Sequence, residues 1–102
     1  MLELPNSTLD QLRALCERRG VARLELTGSA ARDDFDPARS DIDLLIELQP
    51  QARMSALAFV ETAEELSTLL GRPVDLIELR AVRNPILRER LSRDRRPFYA
   101  AA

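Results

Sequence analysis

Leu26-Thr27-Gly28-Ser29-Ala30-Ala31-Arg32, followed by Ser40-Asp41-Ile42-Asp43-Leu44-Leu45-Ile46, is the stretch that decides the fold of this 102-residue chain. It opens on the end of an apolar-alternating segment, Val21 to Thr27, which reads as a strand. A Gly-Ser turn comes next, with Ser29 placed as N-cap of a short helical turn through Ala30, Ala31 and Arg32. A polar loop from Asp33 to Ser40 then leads into a second strand that begins with Asp41 and Asp43. Period-2 geometry puts these two acids on one face and Ile42 on the other. Two carboxylates one strand repeat apart, beside a turn whose amides can hold an anion, suit a metal-bound phosphate.

Upstream, Ser7 with Asp10 three residues on predicts a capping box for a first helix. Leu9, Leu12, Leu15 and Cys16 form its apolar stripe, and Gly20 stops it at C′. Cys16 therefore reads as a buried small hydrophobe. Downstream, Gln49-Pro50 breaks the chain before a second helix over about Gln51 to Leu70. Its stripe is Ala52, Ala56, Phe59, Ala63, Leu66 and Leu70, widened by Met54, Leu57 and Val60. Gly71-Arg72-Pro73 closes that helix and starts a third strand, Val74 to Leu79. Asn84-Pro85 is an N-cap and N1 pair for a helix through about Leu91, and Pro97 to Ala100 reads as an edge strand.

Asp41 and Asp43 open the second strand, Asp75 lies near the start of the third, and Gly28-Ser29 ends the first. These groups meet at one sheet edge only if strand one runs antiparallel to strands two and three. Strands two and three are then parallel, and the long helix is their right-handed crossover. The expected architecture is one α/β (α+β) domain over residues 1–102, a mixed sheet with helices packed on one face and a catalytic face left open. Asp75 carries particular weight because an acid inside an apolar strand costs desolvation unless paired, metal-bound or at the rim.

Composition narrows the chemistry. The chain is 45% hydrophobic and 31% charged, ordinary for a globular domain. No apolar run approaches the ~20 residues of a membrane span, and the first residues lack a secretory pattern. The expectation is a cytoplasmic protein with no membrane role. With one Cys and no His, a zinc centre is not expected, because zinc prefers imidazole and thiolate, and the expected metal is a hard ion on oxygen ligands, Mg²⁺ or Mn²⁺. All fifteen basic residues are Arg. From Arg80 onward seven Arg meet two acids, a balance of +5, whereas residues 1–79 carry eight Arg against fifteen acids, a balance of −7. Such a tail fits an acidic partner, a phosphate-bearing substrate, RNA or a solvated helix face. One Tyr, three Phe and no Trp give little for nucleic-acid stacking, so no direct nucleic-acid partner is expected.

Taken together, the motifs resemble the DNA polymerase beta-like nucleotidyltransferase superfamily, and within it the minimal nucleotidyltransferases that act as antitoxins of HEPN ribonuclease toxins. Gly28-Ser29-Ala30-Ala31-Arg32, Ser40-Asp41-Ile42-Asp43-Leu44 and Asp75 fit the family pattern in order. Asp33, where the family usually has Gly, and Ala30, where larger or basic residues often occur, depart from it.

The resemblance implies a polymerase beta-like core. It makes Asp41, Asp43 and Asp75 catalytic ligands of two Mg²⁺ ions, and Gly28, Ser29, Arg32 and Ser40 nucleotide-binding residues. ATP is the implied substrate and a HEPN toxin the implied partner in a type VII-like toxin–antitoxin pair. The implied acceptor is a hydroxyl of that toxin, a tyrosine. Two alternatives stand beside this reading: a non-catalytic antitoxin that blocks the toxin by contact, and a nucleotidyltransferase acting on a small molecule. The Arg-rich segment Arg80 to Arg96, with Ile86, Leu87 and Leu91 between its charges, is expected to dock the partner.

Overall fold

The computed structural model describes residues 4–28 and 41–101. Three helices and four strands follow the order α1 (Asn6–Arg19), β1 (Val21–Thr27), β2 (Ile42–Leu48), α2 (Ala56–Leu70), β3 (Val74–Ile77), α3 (Pro85–Arg93) and β4 (Arg96–Ala100). A short 3-10 turn, Leu79–Ala81, sits between β3 and α3. The strands form one mixed sheet in the order β3-β2-β1-β4. β1 is antiparallel to both β2 and β4, and β2 and β3 are parallel, joined through α2 as the positions of the acids require.

The core lies on one face of the sheet. Leu24 and Leu26 of β1 and Ile42, Leu44 and Ile46 of β2 alternate onto that face. There they pack against Leu12, Leu15 and Cys16 of α1 and Leu66 of α2. Arg18 and Arg19 both hydrogen-bond to Glu65 at 2.7 Å, tying α1 to α2 along their outer edge. Among the described residues no helix is long and apolar enough to cross a membrane.

Several boundaries and packing assignments differ from the sequence expectation. The Ser7–Asp10 capping box does not form; α1 starts at Asn6 with Pro5 as N-cap and no side-chain cap bond. Pro5 already holds φ at −60°, and its carbonyl accepts the first helical bond, from Leu9 N–H at 3.0 Å. Ser7 is thereby inside the helix. α2 begins five residues later than Gln51 because Ser55 caps it, accepting from Ala58 N–H at 3.0 Å. Leu57 and Val60 are then 69% and 51% exposed, and Leu9 of α1 is 37% exposed, so these three lie off the packing stripes. β3 ends at Ile77, where the chain turns into the 3-10 segment instead of extending to Leu79. The other face of the sheet is not fully bare: Leu45, which points there, is 4% exposed and shares a small cleft with Leu79 and Arg80 of that turn. Gly20 and the Asn84-Pro85 pair act as read, Gly20 as an αL C-cap and Asn84 as a side-chain cap on Ile86 and Leu87.

Candidate active site

Strand register assembles the site. β1 places Thr27 opposite Asp43 of β2, and β3 places Asp75 beside the same Asp43. Residues paired across strands point to one face and have Cα atoms about 4.5–5.5 Å apart. Thr27, Asp43 and Asp75 are therefore one row across three strands, on the face opposite the core. Asp41 lies immediately before β2, exposed, one strand repeat from Asp43.

The row is electrostatically loaded. Asp43 is half-buried, and burial is the main cause that lifts its pKa above the ordinary carboxylate range. The charge of Asp75, a hydrogen-bonding contact with it and the charge of Asp41 push in the same direction. Carboxylates drawn together this way are poised to take up a proton or a cation. Gly28 shapes the space beside them. Its φ is +65°, and a Cβ there would lie 2.8 Å from Asp43 Oδ2, so any side chain would occupy the room next to that oxygen.

α3 forms the facing wall. Thr27 is 1% exposed and its hydroxyl donates to the Leu91 carbonyl at 2.8 Å, which fastens the last turns of α3 to the end of β1. Between them is a cleft of about 270 Å³, with Thr27, Gly28 and Asp43 on the strand side. Arg90, Leu91, Arg93 and Asp94 complete it from α3 and its C-cap.

Of the residues singled out in the sequence, the fold brings Gly28, Asp43 and Asp75 together with Asp41 close by. Ser29, Arg32 and Ser40, and with them Ala30 and Asp33, lie outside the described residues. Thr27 and the α3 wall were missed. Thr27 carried a signal, a polar residue on the strand face that the two acids share, but only the register shows what its hydroxyl binds. The donors at the site are carboxylates throughout, which fits Mg²⁺ or Mn²⁺; Cys16, the lone thiol, is buried in the core. Among the described residues no three His, Cys, Asp or Glu side chains are gathered tightly enough to cage an ion unaided. An ion here needs further oxygen ligands.

Residues 10–98 match the family described as the nucleotidyltransferase domain. A provisionally named protein adenylyltransferase of Methanocaldococcus jannaschii, MJ0128, is 35% identical over 80 residues, covering 78% of this chain and 79% of that protein. The structure of a provisionally named minimal nucleotidyltransferase superposes with a TM-score of 0.66 at 30% identity, over 96% of this chain and all of that one. The fold is also shared with a chain of a structure that contains the tri-AMPylated HEPN toxin of Shewanella oneidensis in complex with its MNT antitoxin. There the TM-score is 0.64 at 18% identity, over 94% of this chain and 72% of that chain.

Proposed function

This chain belongs to the nucleotidyltransferase domain family, and from that premise we propose that it moves AMP from ATP onto a hydroxyl of a HEPN-domain toxin, acting as the toxin's antitoxin in the cytoplasm. The observation that carries the reading is the row of Asp43 and Asp75 on adjacent parallel strands, with Asp41 one repeat away and Gly28 leaving space at Asp43 Oδ2. The names of the relatives support the acceptor class: the M. jannaschii protein is named for protein adenylylation, and the S. oneidensis complex contains an AMPylated toxin.

In this reading Asp41, Asp43 and Asp75 hold two Mg²⁺ ions. Bound there, the ions supply neutralisation of the triphosphate and acidification of the acceptor hydroxyl. Asp43 acts as a ligand in its ionised form, and its raised pKa makes metal uptake weaken as pH falls. The acceptor oxygen, assigned to a tyrosine, attacks the α-phosphorus. A new P–O bond forms, the bond from the α-phosphorus to the bridging oxygen breaks, and pyrophosphate leaves with that electron pair. The hydroxyl proton passes to Asp75, the exposed member of the row, and from there to solvent. Gly28 lets backbone approach the phosphates, and Ser29, Arg32 and Ser40 are assigned by motif to binding the nucleotide. The acceptor is oriented by docking of the partner, which supplies proximity. AMP adds a phosphodiester charge to the toxin, and near an RNA-cleaving site that charge repels substrate phosphates.

The test is mass spectrometry of a candidate HEPN-domain partner after incubation with this chain, ATP and Mg²⁺. An AMP-sized gain on the partner, lost with Asp41→Asn/Asp43→Asn, is the expected result. Protection of cells by that double variant, with no adduct at any time, would instead assign inhibition to contact alone.

A further inference from the structure

The wall that α3 presents to the site has a charge pattern that the acids do not explain. Four consecutive or near-consecutive positions, Arg90, Leu91, Arg93 and Asp94, line the same cleft as Gly28 and Asp43. Leu91 is held against β1 by the Thr27 hydroxyl at 2.8 Å, so its neighbour Arg90 is positioned by a bond to the catalytic strand and not by a free helix end. Arg93 is engaged, its guanidinium 2.8 Å from Glu89 one turn back. Arg90 differs: it has no hydrogen bond or ion pair with any described residue. Arg90, engaged by no described residue, thus lines the same cleft as the Asp43 carboxylate.

We infer that Arg90 is a triphosphate-binding residue, taking the β- and γ-phosphates of the nucleotide that the strand acids engage at the α-phosphate. This rests on the nucleotidyl-transfer reading. The reacting α-phosphorus must sit beside Asp43 and Asp75, where the hydroxyl is deprotonated. The rest of the phosphate chain then extends past the Gly28 turn, and the α3 wall of the same cleft offers it Arg90, a planar fork of donors matched to phosphate oxygens. The competing explanation is that Arg90 and Arg93 merely complement the negative end of the α3 dipole. That role would affect helix stability and would be blind to how many phosphates the ligand carries.

The experiment separates these by phosphate count. Binding to the 102-residue chain in Mg²⁺ is measured by calorimetry for a non-hydrolysable ATP analogue, and for AMP by competition. Wild type, Arg90→Ala, Arg90→Lys and Asp43→Asn are compared with Arg83→Ala, which removes one charge from the same segment away from the cleft. Charge-assisted hydrogen bonds are strong enough that Arg90→Ala should bind the ATP analogue about tenfold more weakly or worse. AMP affinity should be unchanged, Arg90→Lys intermediate and Arg83→Ala like wild type. Unchanged affinity of Arg90→Ala for the analogue, or equal weakening of analogue and AMP, overturns the assignment while Asp43→Asn still loses binding and the nucleotidyl reading stands. If wild type itself takes up no analogue, the nucleotidyl reading fails first and this assignment falls with it.

Discussion

Asp43 is the residue on which fold and chemistry pull in opposite directions. Its folded pKa is raised, by burial first and then by Asp75 and Asp41. A carboxyl raised in the folded state contributes stability that is fully present below its unfolded pKa, around 3.9, and that is lost as pH rises through the folded pKa. At neutral pH the ionised Asp43 is therefore a cost to the metal-free fold. Asp43→Asn should melt above wild type at pH 7 in the presence of a chelator, and the gap should close as pH falls towards 4. Adding Mg²⁺ with an ATP analogue should reverse the order, because only wild type gains ligand stabilisation. A variant that melts below wild type at pH 7 without metal would show that the row is not under charge strain. Sequence alone put Asp41 and Asp43 on one face, since the period of a strand is fixed at two. Neither the half-burial of Asp43 nor the pairing of Thr27 with it was legible, because burial and register depend on which strands become neighbours.

At the scale of elements, the decisive contact is between α3 and the end of β1. The Thr27 hydroxyl is buried and its partner is the Leu91 carbonyl, one of the last carbonyls of α3, which the helix itself cannot satisfy. Thr27→Val keeps the shape and removes the donor, so it should cost about 1–2 kcal/mol of stability. Hydrogen exchange should show the loss chiefly at α3 amides, with β1 and β2 still protected. Uniform loss across the sheet would mean that Thr27 serves the core and not the docking of α3. Local chemistry made the Asn84-Pro85 start of α3 and the Gly20 stop of α1 readable, because each is satisfied within its own few residues. The starts of α1 and α2 were misread for the same reason in reverse. Ser7 and Gln51 fit a helical pattern, but Pro5 and Ser55 supplied the first carbonyl and the first cap.

Across the whole molecule, one core joins everything the site depends on. Cys16 of α1 is 0% exposed within the same cluster as Leu24, Leu26, Ile42 and Leu44, the residues that hold β1 and β2 in register. The strand directions were legible because the acids can meet at one edge in only one arrangement; the seat of β4 against β1 was not, since Pro97 to Ala100 carry no chemistry that fixes a neighbour. Burial, helped by the Glu17 charge, pushes the Cys16 thiol up to about 12. The thiol is thus protonated and inaccessible in the native state, and an alkylating reagent reaches it only when the core opens. A raised thiol pKa contributes stability that is complete below the unfolded value of about 8.5 and declines as pH rises towards the folded one. Wild type should therefore lose stability to urea more steeply than Cys16→Ala between about pH 9 and 11. At pH 8 the alkylation rate reports global opening, because α1 cannot leave without uncovering the back of β1 and β2. A ligand at the opposite face must then protect a thiol it never touches. With the Mg²⁺-bound ATP analogue at 100 times its Kd, alkylation should slow by about 100-fold, and Asp43→Asn should show no slowing. Alkylation unaffected by bound analogue would mean that α1 opens alone, and that the site's strands are held without it.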